Sequence, residues 1–210
     1  MTAVPKLVYS NLELDPNWLV QIGPLINDPP PTSFNIEQAT DALELYMSGP
    51  AYCGALATLK LPIDLTKPYI GLDLEVYLDE ISLKLMRCCE MDVKGAHLGR
   101  IFNWSSQNNQ GQMQMDPSSK KWTNIGFAVP LVAGWNKYSF RYWADFKTFI
   151  YAYLSVNGFN PSADYQGLVC PTDNWADVMA IQLQPVCNSI DGAFRFRYRN
   201  ITFTQCASAF

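Results

Sequence analysis

Apolar and polar residues alternate in short runs along most of the chain, and Trp135 to Gly158 shows the pattern most fully. Tyr138, Phe140 and Tyr142 fall on one face of an extended strand and Ser139, Arg141 and Trp143 on the other, because strand side chains alternate with a period of two. One face then suits a core, and the other is free to meet solvent or a ligand. A polar step, Ala144 to Thr148, leads to a second run, Phe149 to Val156, that is apolar on both faces, as expected of a strand inside a sandwich. That run stops at Asn157-Gly158, a pair that tolerates positive φ. Together the two runs predict an antiparallel hairpin.

The same alternation predicts strands elsewhere. Lys6 to Leu14 reads as an edge strand ending at Asp15-Pro16-Asn17, and Trp18 to Ile22 as a short strand closed by Gly23-Pro24. Pro29-Pro30-Pro31 removes three consecutive ladder donors and predicts a loop. Asn35 to Ala39 suits one helical turn, after which Asp41 to Met47 returns to alternation. Strands follow at Tyr52 to Leu61, Tyr69 to Leu78, Ser82 to Val93, Arg100 to Ser105, Gln112 to Met115 and Trp122 to Val129. Beyond the hairpin, Phe159 to Trp175 reads as loop, and Val178 to Val186 and Ala193 to Thr204 as the last strands. Helix is nearly absent and no repeat appears. Regular strand spacing predicts one all-β domain over residues 1–210, a two-sheet antiparallel sandwich of the jelly-roll kind.

Composition narrows the partners. A chain of 210 residues, 49% hydrophobic and 16% charged, buries one sizeable core, and a net charge of −4 offers no basic footprint for phosphate, so nucleic-acid binding is not expected. No apolar run approaches the roughly 20 residues of a membrane helix, and the first residues form no signal-peptide core. The expectation is a cytosolic chain or a mature, extracellular form whose leader has been removed. Six cysteines, Cys53, Cys88, Cys89, Cys170, Cys187 and Cys206, suit either disulfides or buried free thiols and match no zinc spacing. Asn103-Trp104-Ser105 and Asn200-Ile201-Thr202 match the N-glycosylation acceptor.

Two segments carry a family resemblance. One is the central hairpin, with Trp135, an alternating aromatic strand and the closing Val156-Asn157-Gly158; the other is the last strand, Phe194-Arg195-Phe196-Arg197-Tyr198-Arg199-Asn200-Ile201-Thr202-Phe203. Both resemble concanavalin A-like jelly rolls, the fold shared by many lectins, glucanases and polysaccharide lyases. The resemblance implies a glycan ligand and supplies no site by itself.

Sugar recognition needs flat apolar surfaces for ring C–H faces and planar polar groups for hydroxyls. Arg141 and Trp143, Gln182 and Gln184, and Gln112 and Gln114 offer these types on alternating strand positions, with Trp104 nearby in sequence. Long amides repeated within apolar strands are costly to bury unpaired, which predicts a wet surface at Gln182 and Gln184. The expected ligand-binding residues are therefore Trp143, Arg141, Gln182, Gln184 and Trp104.

An enzyme of the same fold is the alternative. Glu90-Met91-Asp92 matches the first two acids of the glucanase pattern that the resemblance implies, but Lys94 or Gly95 stands where the third belongs. Asp73-Leu74-Glu75 or Asp79-Glu80 could supply the missing acid from a neighbouring strand, with Glu75 the candidate chosen, since glycoside hydrolysis normally requires two carboxyl groups in separate roles. A lyase would draw on Arg87, Arg141, Gln182 or His97. Arg195, Arg197 and Arg199 share a face and suit either an acidic glycan or local charge pairing. Asp173, Asn174, Asp177 and Asp191 suit a structural calcium, and equally suit ordinary turns. The leading expectation is a carbohydrate-binding, lectin-like module for an oligo- or polysaccharide. A glycan-cleaving hydrolase or lyase comes next, and an assembly protein is the third possibility.

Overall fold

The computed structural model describes residues 6–22, 33–48, 55–94, 100–105, 110–116, 121–128, 131–144, 148–158, 169–171, 178–187 and 193–208. Over much of 86–128, 142–154 and 169–171 that description is of backbone and register.

The strands form two antiparallel sheets. The eight-stranded sheet runs β13 (Val169–Pro171), β12 (Thr148–Val156), β11 (Gly134–Ala144), β6 (Tyr69–Leu78), β15 (Ala193–Cys206), β4 (Leu43–Ser48) and β3 (Ser33–Gln38), with β1 (Lys6–Tyr9) also paired to β15. The seven-stranded sheet runs β10 (Lys121–Ala128), β9 (Gln110–Asp116), β8 (Arg100–Ser105), β7 (Met86–Lys94), β14 (Val178–Cys187), β5 (Ala55–Pro62) and β2 (Leu19–Ile22). The result is the all-β sandwich that the alternation predicts.

Alternation decides which side of each sheet is core. Leu72, Leu74, Val76 and Leu78 on β6 are sealed from water with Tyr138 and Phe140 on β11 and Phe194, Phe196 and Tyr198 on β15. The other sheet contributes Ala57, Leu59, Leu61, Ile181 and Leu183. Each buried Leu, Ile, Val or Phe side chain stabilises by about 1.5–3 kcal/mol relative to exposure. Between them stand half-exposed positions such as Asp73, Glu75, Tyr77, Ser139 and Arg141, so the predicted faces of the hairpin hold where side chains are described. The hairpin also closes as expected. Asn157 and Gly158 take φ of 50° and 76°, and the Lys137 N–H donates to Asn157 Oδ1 at 2.8 Å.

Four expectations are corrected. Residues 80–85 form a short helix, α1 (Glu80–Leu85), where alternation predicts the start of a strand at Ser82. Asp79 Oδ1 accepts the Ser82 N–H at 2.6 Å, an N-cap that outweighs the local pattern. Asn35 to Ala39 is no helical turn, because β3 pairs with β4 from Ser33 opposite Ser48 to Gln38 opposite Leu43. The first strand stops at Tyr9, since Asn11 at φ 53° turns the chain into a 3-10 turn, Leu12–Leu14, whose Leu12 carbonyl accepts Trp18 Nε1–H at 2.7 Å. β13 lies within the stretch expected to be loop.

A bulge interrupts β15 between the stretch that pairs with β4 and the stretch that pairs with β1. Register with β6 passes from Arg199 opposite Glu75 to Thr202 opposite Asp73, and Asn200 adopts φ 53°. The N–H groups this frees, on Asn200 and Ile201, donate to the two carboxylate oxygens of buried Glu13 at 3.0 and 2.9 Å. Cys206 is a buried free thiol. Cys53 and the side chains of Cys88, Cys89, Cys170 and Cys187 lie outside the described residues. Among the described residues no helix is long and apolar enough to cross a membrane.

Candidate functional site

The expected ligand residues divide between the two sheets. Arg141 and Trp143 are on β11 of the eight-stranded sheet; Gln182 and Gln184 are on β14, and Trp104 on β8, of the seven-stranded one. They do not form one surface.

On the eight-stranded sheet the outward positions pair among themselves. Arg141 Nη1 and Nη2 donate to Asp73 Oδ1 and Oδ2 at 3.1 and 2.9 Å, and Ser139 Oγ donates to Asp73 Oδ1 at 2.5 Å. Arg199 Nε donates to Glu75 Oε2 at 2.7 Å. Glu44, only 5% exposed, faces Arg195 Nη2 at 2.8 Å and Arg197 Nε at 2.5 Å. Burial alone would raise the Glu44 carboxyl, but hydrogen bonds from Tyr46 and Arg195 and the charges of Arg197 and Arg195 outweigh it and hold it below the usual carboxylate range. Aromatic rings complete this lattice. Trp135 meets Tyr77 edge-on at 5.4 Å, and the Arg199 guanidinium lies 3.8 Å from the Trp135 ring centre. Local pairing, the second of the two roles considered for Arg195, Arg197 and Arg199, is thus the one observed. An open groove of about 490 Å³ lies at the end of β6, lined by Tyr77, Asp79, Glu80, Ile81, Ala133 and Gly134. Of its two acids, Asp79 is held by its cap on α1.

The seven-stranded sheet is different in kind. On β14, Ile181 and Leu183 are in the core, which turns Gln182 and Gln184 to the outer face. Gln182 is half-buried, donates Nε2–H to Thr58 Oγ1 at 3.0 Å, and keeps a buried Oε1 that accepts nothing among the described residues. Gln184 is only 5% exposed, so the wet surface expected there is instead a covered one. Backbone register extends this face across the sheet. Gln184 stands opposite Glu90, Glu90 opposite Asn103, Asn103 opposite Gln112 and Gln112 opposite Asn124. The neighbouring row runs Leu19, Thr58, Gln182, Asp92 and Arg100. One row therefore carries an amide or carboxylate residue on five successive strands, opposite an apolar core.

Trp104 does not join this row. Its register partner is Cys89, which stands opposite buried Pro185, so its row alternates with that of Gln184. The side chains of Trp104, Trp143, Glu90 and Asp92 lie outside the described residues.

The three candidate carboxylates also separate. Glu90 and Asp92 stand opposite Gln184 and Gln182, whereas Glu75 is in the other sheet and bound to Arg199. Glu75 is not a neighbouring-strand partner for the pair, because α1 carries the chain from one sheet to the other between β6 and β7. The side chain of Arg87, together with His97, Asp173, Asn174, Asp177 and Asp191, lies outside the described residues; among the described ones no three metal-ligating side chains come together.

Thr58, Asn103 and Asn124 complete the rows and were not among the candidates. Each carried a signal in the sequence, a polar residue inside an otherwise strand-like run, but nothing local tells which polar positions end up side by side.

No protein-family model matches the sequence, and no curated protein does. Among solved structures the chain is similar to lectin I from Ulex europaeus, at 10% identity and a TM-score of 0.58, over 96% of this chain and 98% of that one. It is likewise similar to arcelin-5, a lectin-like defense protein from Phaseolus vulgaris, at 6% identity and a TM-score of 0.56, over 95% and 98%. A third likeness, to HCR D/C VPI 5995, has 11% identity and a TM-score of 0.51 and covers 98% of this chain. The chain spans about half of that protein's length, 49%. At such identities the likeness is one of fold, and the chain has the concanavalin A-like jelly-roll fold.

Proposed function

We propose that the chain is a carbohydrate-binding module that takes an oligo- or polysaccharide on the outer face of its seven-stranded sheet. The observation that carries this reading is the register row Glu90, Asn103, Gln112 and Asn124, which begins beside the covered Gln184 and has the half-buried Gln182 next to it. Amides both donate and accept, carboxylates accept, and sugar hydroxyls do both, so a row of such groups suits a chain of hydroxyls. The buried Oε1 of Gln182 accepts nothing among the described residues and is an acceptor in want of a donor. Likeness of fold to two lectins adds prior support only. On this reading Arg141 stays in its ion pair and takes no part in binding.

A second reading, glycan cleavage, is favoured by one observation. Glu90 and Asp92 sit two residues apart on one strand, opposite the same two glutamines, which puts two carboxylate residues on the proposed binding face. Incubation with a glycan array at micromolar protein, followed by product analysis, tests both. A glycan bound saturably and recovered intact supports the module, and new reducing ends or unsaturated uronates support the enzyme. Binding to no glycan overturns both and leaves the assembly role.

A further inference from the structure

The two N-glycosylation triplets occupy very different places. Asn103 lies in mid-sheet, with Glu90 and Gln112 as register partners, inside the row proposed to meet ligand. Asn200 lies at the β15 bulge, in the other sheet. Its backbone is left-handed at φ 53°, a conformation that asparagine tolerates better than most residues, and bulges re-aim a side chain out of the regular alternation. The Asn200 N–H is held by Glu13, and the next residue, Ile201, is fully buried. The Asn200 side chain is exposed and makes no hydrogen bond among the described residues, and Thr202 beside it is half-exposed. The triplet is therefore anchored through its backbone and its middle residue, while the acceptor amide is left to solvent.

We infer that Asn200 is an N-glycosylation site of a chain that enters a secretory compartment, and that Asn103 stays unmodified. The co-substrate is a lipid-linked oligosaccharyl pyrophosphate. A bond forms between Asn200 Nδ2 and the anomeric carbon, the bond from that carbon to the pyrophosphate oxygen breaks, the lipid pyrophosphate leaves and the amide gives up one proton. Nothing is oxidised or reduced. A glycan on β15 leaves the amide row of the seven-stranded sheet uncovered, whereas one at Asn103 would stand in it.

The test is to express the full chain behind a cleavable leader in insect cells and map the peptides of both the secreted and the cell-retained protein. Mapping is done before and after peptide N-glycosidase in heavy-oxygen water. The expected result is a hexose and N-acetylhexosamine mass on the peptide containing Asn200, released by the glycosidase with a heavy-oxygen label, and an unmodified Asn103 peptide. Asn200→Gln and Thr202→Ala should each abolish the added mass, and Asn103→Gln should leave it. An unmodified Asn200 peptide, or a glycan found at Asn103, overturns the inference. The wild-type map decides this even if a variant fails to fold.

Discussion

Gln182 donates its Nε2–H to Thr58 Oγ1 at 3.0 Å, and this bond fixes which end of the amide remains for anything else. The free end is an oxygen buried without a donor among the described residues. A ligand hydroxyl reaches this sealed oxygen only if the half-buried Gln182 side chain turns on binding, and would then satisfy it with a net gain of about 0.5–1.5 kcal/mol. Gln182→Leu should therefore weaken glycan binding by roughly three- to tenfold. The same substitution removes an unsatisfied buried oxygen and also the bond to Thr58 Oγ1, two opposed effects that should leave the melting temperature little changed. Calorimetric titration and thermal melts of the same variant check the two halves, and an unchanged affinity would remove Gln182 from the site.

Arg141 is predicted to behave in the opposite way. It is bound to Asp73 through both terminal nitrogens in a half-exposed pair, which is worth at most about 1 kcal/mol. Arg141→Ala should lower the melting temperature by about 2–4 °C and leave glycan affinity at the wild-type value. A loss of affinity with an unchanged melt would return Arg141 to the binding surface.

The Glu44 cluster gives a pH dependence. The carboxyl is held below its ordinary value near 4.5, so its charged form is favoured in the folded state. Its stabilisation is fully present above that ordinary value and is lost as pH falls through the lowered folded one. Glu44→Gln removes the carboxylate facing Arg195 and Arg197 and should cost about 2 kcal/mol near neutral pH. Melts of the two proteins should converge as the solution is acidified below pH about 4.5. A difference that stays constant across that range would show that the carboxylate's charge is not what stabilises.

Glu13 joins two parts of the chain far apart in sequence. Its buried carboxylate accepts the N–H groups of Asn200 and Ile201, which otherwise have no partner at the bulge. Glu13→Ala should cost about 2–3 kcal/mol and speed hydrogen exchange at Asn200 and Ile201, with little change at the hairpin turn around Asn157. Unchanged exchange at those two amides would contradict the role given to Glu13.

What the sequence made legible, and what it did not, follows from the range of each signal. The limits Tyr69 and Leu78 of β6 were readable because Leu72, Leu74, Val76 and Leu78 alternate with Asp73, Glu75 and Tyr77 in one unbroken run. Tyr138 and Phe140 were assigned to the core face for the same reason. Periodicity, however, gives the face of a strand and not its sheet. Arg141 and Gln182 therefore looked like one surface until the pairing of β11 with β6 and of β14 with β7 separated them. The row of Trp104 was hidden for a related reason, since only register reveals that it holds Cys89 and Pro185. The helix after Asp79 depended on a single cap within a strand-like pattern, and Glu13 meets Asn200 at a separation of 187 residues, beyond any local signal.

The central claim, that glycans bind on the seven-stranded sheet, is tested most directly by hydrogen–deuterium exchange with and without a saturating amount of the tightest-binding array glycan. The account predicts slowed exchange confined to β14, β7, β8, β9 and β10, with β6, β11 and β15 unaffected. Protection centred on β6 and β11, around Arg141 and Trp135, with none on β14, would contradict it.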